Sequence, residues 1–175
     1  PYWSRYMNYQ NDSRNRIYGN VGFSFKITDF LKFQYKSNLD FFVDKQYERN
    51  AVGSQEQSRY MEMSRQQAEL NHEFLLSFNK NITDFSFSAN VGSNLMNRRY
   101  EYVYGETDGG IAFPEFYNLK NSINAPVAYN KLTKKSINSV FASGTVGYKS
   151  MLYLDLSVRN DWSSTLPDGN NSFMY

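Results

Sequence analysis

A hydrophobic period of two, returning along most of its length, constrains this chain more than any other feature. Ile17, Gly19, Val21, Phe23, Phe25 and Ile27 alternate with Tyr18, Asn20, Gly22, Ser24 and Lys26. After a break at Thr28-Asp29, Leu31, Phe33, Tyr35, Leu39, Phe41 and Val43 alternate with Lys32, Gln34, Lys36, Asn38, Asp40 and Asp44. Successive side chains of a β-strand point to opposite faces, so each stretch has an apolar face and a polar one. The two segments form a tight hairpin. Each runs past about ten residues, longer than the five or six usual in soluble sheets and suited to a tilted crossing of a bilayer.

The same pattern returns four more times. Ala68, Leu70, Phe74, Leu76 and Phe78 oppose Glu69, Asn71, Glu73 and Ser77, and Phe85, Phe87, Ala89, Val91 and Leu95 oppose Ser86, Ser88, Asn90, Gly92 and Asn94. Residues 137–148 form a fifth strand with Val140, Ala142, Gly144, Val146 and Tyr148 on its apolar face. Leu152, Leu154, Leu156 and Val158 mark a sixth, and residues 163–175 lead into a loop and the start of a seventh. Residues 1–16, 45–67 and 96–135 lack the alternation and read as loops; 54–69 also has helix-forming composition. Connections therefore alternate between short (28–29, 80–84, 149–150) and long (45–67, 96–135, after 162). Short turns on one side and long loops on the other are the pattern of bacterial outer-membrane barrels, and a sandwich has no reason to sort its loops this way.

Composition agrees with that class. Aromatics are 18% of residues against four prolines, which favours strands. No apolar run exceeds about five residues, far below the roughly 20 of a membrane helix. A negative mean hydropathy of −0.66 is compatible with a membrane barrel, in which only alternate residues face lipid. Nineteen basic against 17 acidic residues give a net charge of +2, which does not suggest a nucleic-acid partner. With no cysteine and one histidine, thiolate metal sites and nucleophilic triads have almost nothing to work with. His72, on the apolar face, reads as an interfacial side chain rather than a ligand. Asp161, Asp168 and Asn170 lack the ordered spacing of a calcium loop. Asp40, Asp44, Glu69, Glu73 and Asp155 lie on polar strand faces beside Lys32, Lys36 and Arg159 and read as wetted charges, not a catalytic pair. No catalytic residue, cofactor or metal site is expected.

The exit of the sixth strand, Arg159-Asn160-Asp161-Trp162-Ser163-Ser164-Thr165-Leu166-Pro167, resembles the signature of SusC/RagA-like TonB-dependent outer-membrane transporters, and Tyr2-Trp3 with Asn11-Asp12-Ser13-Arg14 looks like a segment that precedes a barrel strand in the same family. The resemblance implies that residues 1–175 are part of one 22-stranded barrel, about a quarter of it, without the plug. It implies uptake of glycan or peptide fragments across the outer membrane, powered by TonB through the absent plug, with a SusD-like surface lipoprotein as lid. An incomplete barrel also follows from physics, because an open sheet edge in lipid leaves backbone groups unpaired at several kcal/mol each. The signature itself reads as architecture. The substrate-binding candidates are aromatic residues expected on the long loop, Tyr100, Tyr102, Tyr104, Tyr117 and Tyr129, which can stack on sugar rings or line a peptide cleft. A passive porin or adhesin barrel and a soluble carbohydrate-binding module are the alternatives; the latter would bury its apolar face against a second sheet.

Overall fold

The computed structural model describes residues 2–167 and 169–175, with only the backbone of Ser4. The fold is all-β, as expected. Seven strands form one sheet in sequence order: β1 (Tyr9–Lys26), β2 (Leu31–Asn50), β3 (Arg59–Ile82), β4 (Phe85–Glu106), β5 (Val127–Tyr148), β6 (Leu152–Ser163) and β7 (Ser172–Met174). β1 and β7 are its two edges. A single π-helical turn at Trp3–Met7 and a 3-10 turn at Leu119–Asn121 are the helical elements among the described residues.

Strand number and facing follow the sequence reading, but five strand bounds do not. β1 starts at Tyr9 rather than Ile17, and β2 continues to Asn50 through what reads as loop. β3 begins at Arg59, so 54–69 is mostly strand and not helix, and the β2–β3 connection shrinks to 51–58. β4 continues to Glu106 and β5 starts at Val127, which reduces the loop expected over 96–135 to 107–126. The alternation of short and long connections survives: 27–30, 83–84 and 149–151 against 51–58, 107–126 and 164–171. Strands β2 to β5 contain 20 to 24 residues, about twice what a bilayer crossing needs.

The chain divides into two compact units, each drawing on several strands. The first, termed the short-turn unit, comprises 18–40, 69–98 and 134–175. Its strands carry the hydrophobic alternation. On the apolar face Phe23 meets Phe33 and Tyr35, and Tyr35 meets Phe74 with ring centroids 5.0 Å apart. His72 stays on this face, 2.8 Å from the Tyr35 hydroxyl, so its ring nitrogen is satisfied by a neighbour. The β5–β6 register sets Val146 opposite Leu154 and Gly144 opposite Leu156, apolar face against apolar face. Across the polar face Thr145 donates to Asp155 and Arg98 is paired with Glu69. Gly92 leaves room there for the ring of Phe141, which a Cβ would displace. The β5–β6 turn has Lys149 at φ 51° and Ser150 at φ 56°, with the Met151 amide donating to Tyr148, the two-residue geometry whose twist matches that of the strands.

The second, the long-loop unit, comprises the described residues up to Ile17 with 41–68 and 99–133. It is held by polar contacts. Arg59 pairs with Glu48 at 2.7 Å and with Glu106 at 3.7 Å, and Arg65 with Asp44 at 2.7 Å. Arg14 lies over Phe42, and Arg49 lies over both Tyr9 (4.0 Å) and Tyr117 (4.5 Å) while donating to the Met7 carbonyl. Among the described residues the buried hydrophobics are Ala51, Met61 and Ile111, all in this unit, whereas Phe23, Phe25, Val91, Leu154 and Leu156 of the short-turn unit stand exposed.

Candidate functional site

Strand extension moves four of the five tyrosine candidates off the loop. Tyr100, Tyr102 and Tyr104 lie on β4 and Tyr129 on β5; only Tyr117 remains in 107–126. The correction has a physical cause. Where both faces of a strand are wet, the apolar period disappears while the backbone still pairs.

On β4, Tyr102 and Tyr104 have near-parallel rings, 7° between planes and 6.4 Å between centroids, and Tyr129 closes on Tyr102 at 5.9 Å. The even-numbered residues of β4 share one face, so Tyr100 and Glu106 belong to it as well. Glu106 links the tyrosines to charge: its carboxylate acts on the Tyr104 hydroxyl and pairs with Arg59, which holds Glu48 on its other side. Burial, followed by Glu106, pushes the Tyr104 hydroxyl up to about 12. Tyr60 also rises to about 12, through burial and then Glu62. Both phenols are neutral at physiological pH and serve as hydrogen-bonding groups.

Tyr117 lies apart from this cluster, against Arg49, whose guanidinium also lies over Tyr9. There it ties the loop 107–126 to β2. A cavity of about 410 Å³ is lined by Tyr47, Glu62, Val103, Gly105, Leu119 and Ala128, with Leu119 reaching over Gly105, where a Cβ would collide with it.

The arrangement Tyr102, Tyr104 and Tyr129 beside Glu106, Arg59 and Glu48 can stack flat groups and exchange hydrogen bonds. Arg59, Glu48 and Glu106 were outside the sequence-level site. A signal was present in Tyr100-Glu101-Tyr102-Val103-Tyr104-Gly105-Glu106, which keeps a strand period with polar aromatics on one face. No group of three or more His, Cys, Asp or Glu side chains suited to a metal occurs among the described residues.

The signature segment occupies the end of β6 and the turn after it. Arg159 donates to Asp161 (2.9 Å) and to the buried hydroxyl of Ser139 on β5 (3.1 Å), and Tyr175 donates to Asp161 (2.9 Å). Asn160 and Ser172 exchange hydrogen bonds across β6 and β7. Trp162 pairs in register with Asn138 on one side and Ser172 on the other. Beyond the strand, the Ser136 amide donates to the Ser164 hydroxyl, Thr165 caps onto Ser163, and Leu166 and Pro167 complete the turn. These bonds fix three strands in register. Asp161 is thereby engaged in the sheet, and Asp168 lies outside the described residues.

Comparison with solved structures places this fold. The chain is similar to the RagAB peptide transporter, with a TM-score of 0.82 at 14% identity over 94% of this chain and 19% of that one. It is similar to the RagAB peptide importer in its closed-closed state (TM-score 0.81, 14% identity) and in its open-open state (0.75, 15%), with the same coverage. The chain thus spans about a fifth of the length of the solved chains it matches. It has the fold of a segment of a larger antiparallel β-barrel, the fold implied by the resemblance of Arg159–Pro167. No family model and no curated protein matches the sequence.

Proposed function

We propose that the chain is part of the barrel of an outer-membrane transporter that imports peptide or glycan fragments, driven by TonB and closed by a SusD-like surface lipoprotein. The observation that carries this reading is the apolar face of the short-turn unit. Phe23, Phe25, Val91, Leu154 and Leu156 stand exposed in a single sheet with no second sheet packed on them among the described residues. In water such a face is costly at roughly 25 cal/mol per Å²; hydrocarbon removes the cost. The likeness to RagAB structures supports a transporter kind of barrel and argues against an enzyme. It also argues against the soluble module, which requires a second sheet.

In this reading the polar face lines the lumen, where Arg98–Glu69, Thr145–Asp155 and Arg159–Asp161 are wetted pairs. Further strands of a longer polypeptide pair with the edges β1 and β7, as lipid demands. Tyr102, Tyr104 and Tyr129, with Arg59 and its two carboxylates, contact the cargo by stacking and hydrogen bonding and perform no bond chemistry. Tyr100 and Tyr117 flank them.

The test is uptake of labelled oligopeptides and oligosaccharides by cells carrying the full-length gene, with and without TonB. The reading expects outer-membrane fractionation and accumulation that requires TonB, reduced by Tyr102→Ala with Tyr104→Ala. Recovery of the protein in the soluble fraction, or uptake that follows the concentration gradient without TonB, contradicts it.

A further inference from the structure

A tetrapeptide repeats at two of the short turns. Ile27-Thr28-Asp29-Phe30 between β1 and β2 recurs as Ile82-Thr83-Asp84-Phe85 between β3 and β4. Each copy ends in a ring that meets another: Phe30 lies edge-on to Phe78 with centroids 5.6 Å apart, and Phe85 meets Tyr148 at 4.9 Å. Each pair also has an ammonium over it, Lys80 at 5.1 Å from the centre of the Phe30 ring and Lys149 at 5.4 Å from that of Tyr148. Phe78, Phe85 and Tyr148 have the strand parity of Phe74, Val91 and Val146, so these rings end the apolar face of the short-turn unit.

The two copies differ in charge. Asp84 stands 3.6 Å from Lys149, beyond hydrogen-bond reach, and both side chains are half exposed. The Lys149 amide donates to the Asp84 carbonyl at 2.8 Å, which ties the turn before β4 to the turn after β5. Asp29 is held instead by Lys26 at 2.7 Å, and no carboxylate pairs with Lys80 among the described residues. One turn thus presents a cation and an anion side by side on a fixed backbone; the other presents a cation alone. Opposite charges that are neither buried nor hydrogen-bonded to each other add little to folding.

We propose that Asp84 and Lys149, beside the rings of Phe85 and Tyr148, bind the phosphoethanolamine headgroup of a phospholipid. The phosphate lies against the Lys149 ammonium and the lipid's own ammonium donates to the Asp84 carboxylate, so that four charges alternate in sign. The rings support the glycerol end, and the acyl chains follow the face on which Val91 and Val146 stand exposed. Position favours a lipid over another stretch of the polypeptide. Further strands extend the sheet in its own plane at β1 and β7, whereas Asp84 and Lys149 lie at turns between interior strands, at the end of the face assigned to hydrocarbon. The short turns of such barrels stand on the periplasmic side, where the leaflet is built of phospholipid. Asp84 sets the selectivity: it repels a purely anionic headgroup, and a quaternary ammonium has no N–H to give it. The lipid as occupant rests on the outer-membrane barrel proposed above.

The experiment reconstitutes the full-length protein in phosphatidylcholine vesicles with a trace of phosphatidylethanolamine that carries a photoactivatable group near the glycerol, and maps the adducts by mass spectrometry. In the wild type, adducts concentrate on residues 84–87 and 146–149, and unlabelled phosphatidylethanolamine displaces them about fivefold better than phosphatidylglycerol. Asp84→Asn abolishes that preference. Lys149→Gln lowers labelling about fivefold, the worth of one lysine at a membrane surface, and Lys149→Arg restores it. Lys26→Gln leaves labelling of this turn unchanged, and adducts near Phe30 and Lys80 show no preference between the two competitors. Equal competition by both lipids at the Asp84 turn, unaltered by Asp84→Asn, overturns the site and leaves a non-selective aromatic rim. Absence of adducts at that turn in a membrane-inserted protein also overturns it, and assigns the turn to another stretch of the polypeptide while the barrel stands. Failure to insert into vesicles overturns the barrel and the site together.

Discussion

The short-turn unit and the long-loop unit use the same strands and the same pairing, yet they obey different chemistry. In the first, alternate residues are apolar and stand exposed, as Phe25, Val91 and Leu154 do. In the second, guanidinium groups hold carboxylates and aromatic rings, as Arg59, Arg65 and Arg49 do. Backbone pairing alone therefore does not decide the residue pattern; in the proposed setting the medium against each face does. Val91 and Val103 make the contrast sharp. Both are odd-numbered residues of β4 and they are 53% and 56% exposed, so geometry does not distinguish them. In the proposed setting one faces lipid and the other water.

The largest expected effects break the comparison by face. Leu154→Arg on the apolar face costs about 2–4 kcal/mol in an unfolding titration of the barrel in lipid, while Ser157→Arg on the polar face costs little. Equal costs would mean that the facing is wrong. The same arginine separates the two units along β4: Val91→Arg costs about 2–4 kcal/mol and Val103→Arg under about 1 kcal/mol. Smaller still is the loss of an ion pair in the long-loop unit. Arg59→Gln costs under about 1 kcal/mol, with the cost shrinking as salt rises, since these side chains are partly exposed and screened.

A separate effect is a pH dependence. Tyr60 and Tyr104 titrate near 12 in the fold, against about 10 for an unfolded tyrosine. Between those values the unfolded chain gives up its protons first, so stability falls as pH rises from about 10 to about 12 and is unaffected by these groups below that. Replacing both with Phe flattens the slope, which unfolding titrations at stepped alkaline pH measure.

The short-turn unit is almost completely legible in the sequence, because one apolar face writes a period of two into it. The strands from Ile17, the turn at Lys149-Ser150, the facing of Leu152 to Val158 and the place of His72 on the apolar face all follow from that period. The long-loop unit writes no such signal. Tyr9 to Arg16, Lys45 to Asn50 and Met96 to Glu106 read as loop, yet they are strand, since a strand without an apolar face can carry polar residues at every position. The binding candidates suffered from the same blindness: the tyrosines were found by residue type, but their common face and the Glu106–Arg59–Glu48 chain beside them depended on extending β4. Asn121, whose buried carboxamide accepts from the Phe113 amide in the loop 107–126, was harder still, because a buried asparagine organising a loop has no period at all.

Depth labelling tests the contrast most directly. These 175 residues contain no cysteine, so in a cysteine-free background of the full-length protein single cysteines at 91 and at 103 can carry an environment-sensitive fluorophore in vesicles containing brominated lipid. The expected result is strong quenching and a blue-shifted emission at position 91, with neither at position 103. Equal quenching at both positions, or at neither, would contradict the division of β4 between lipid and water.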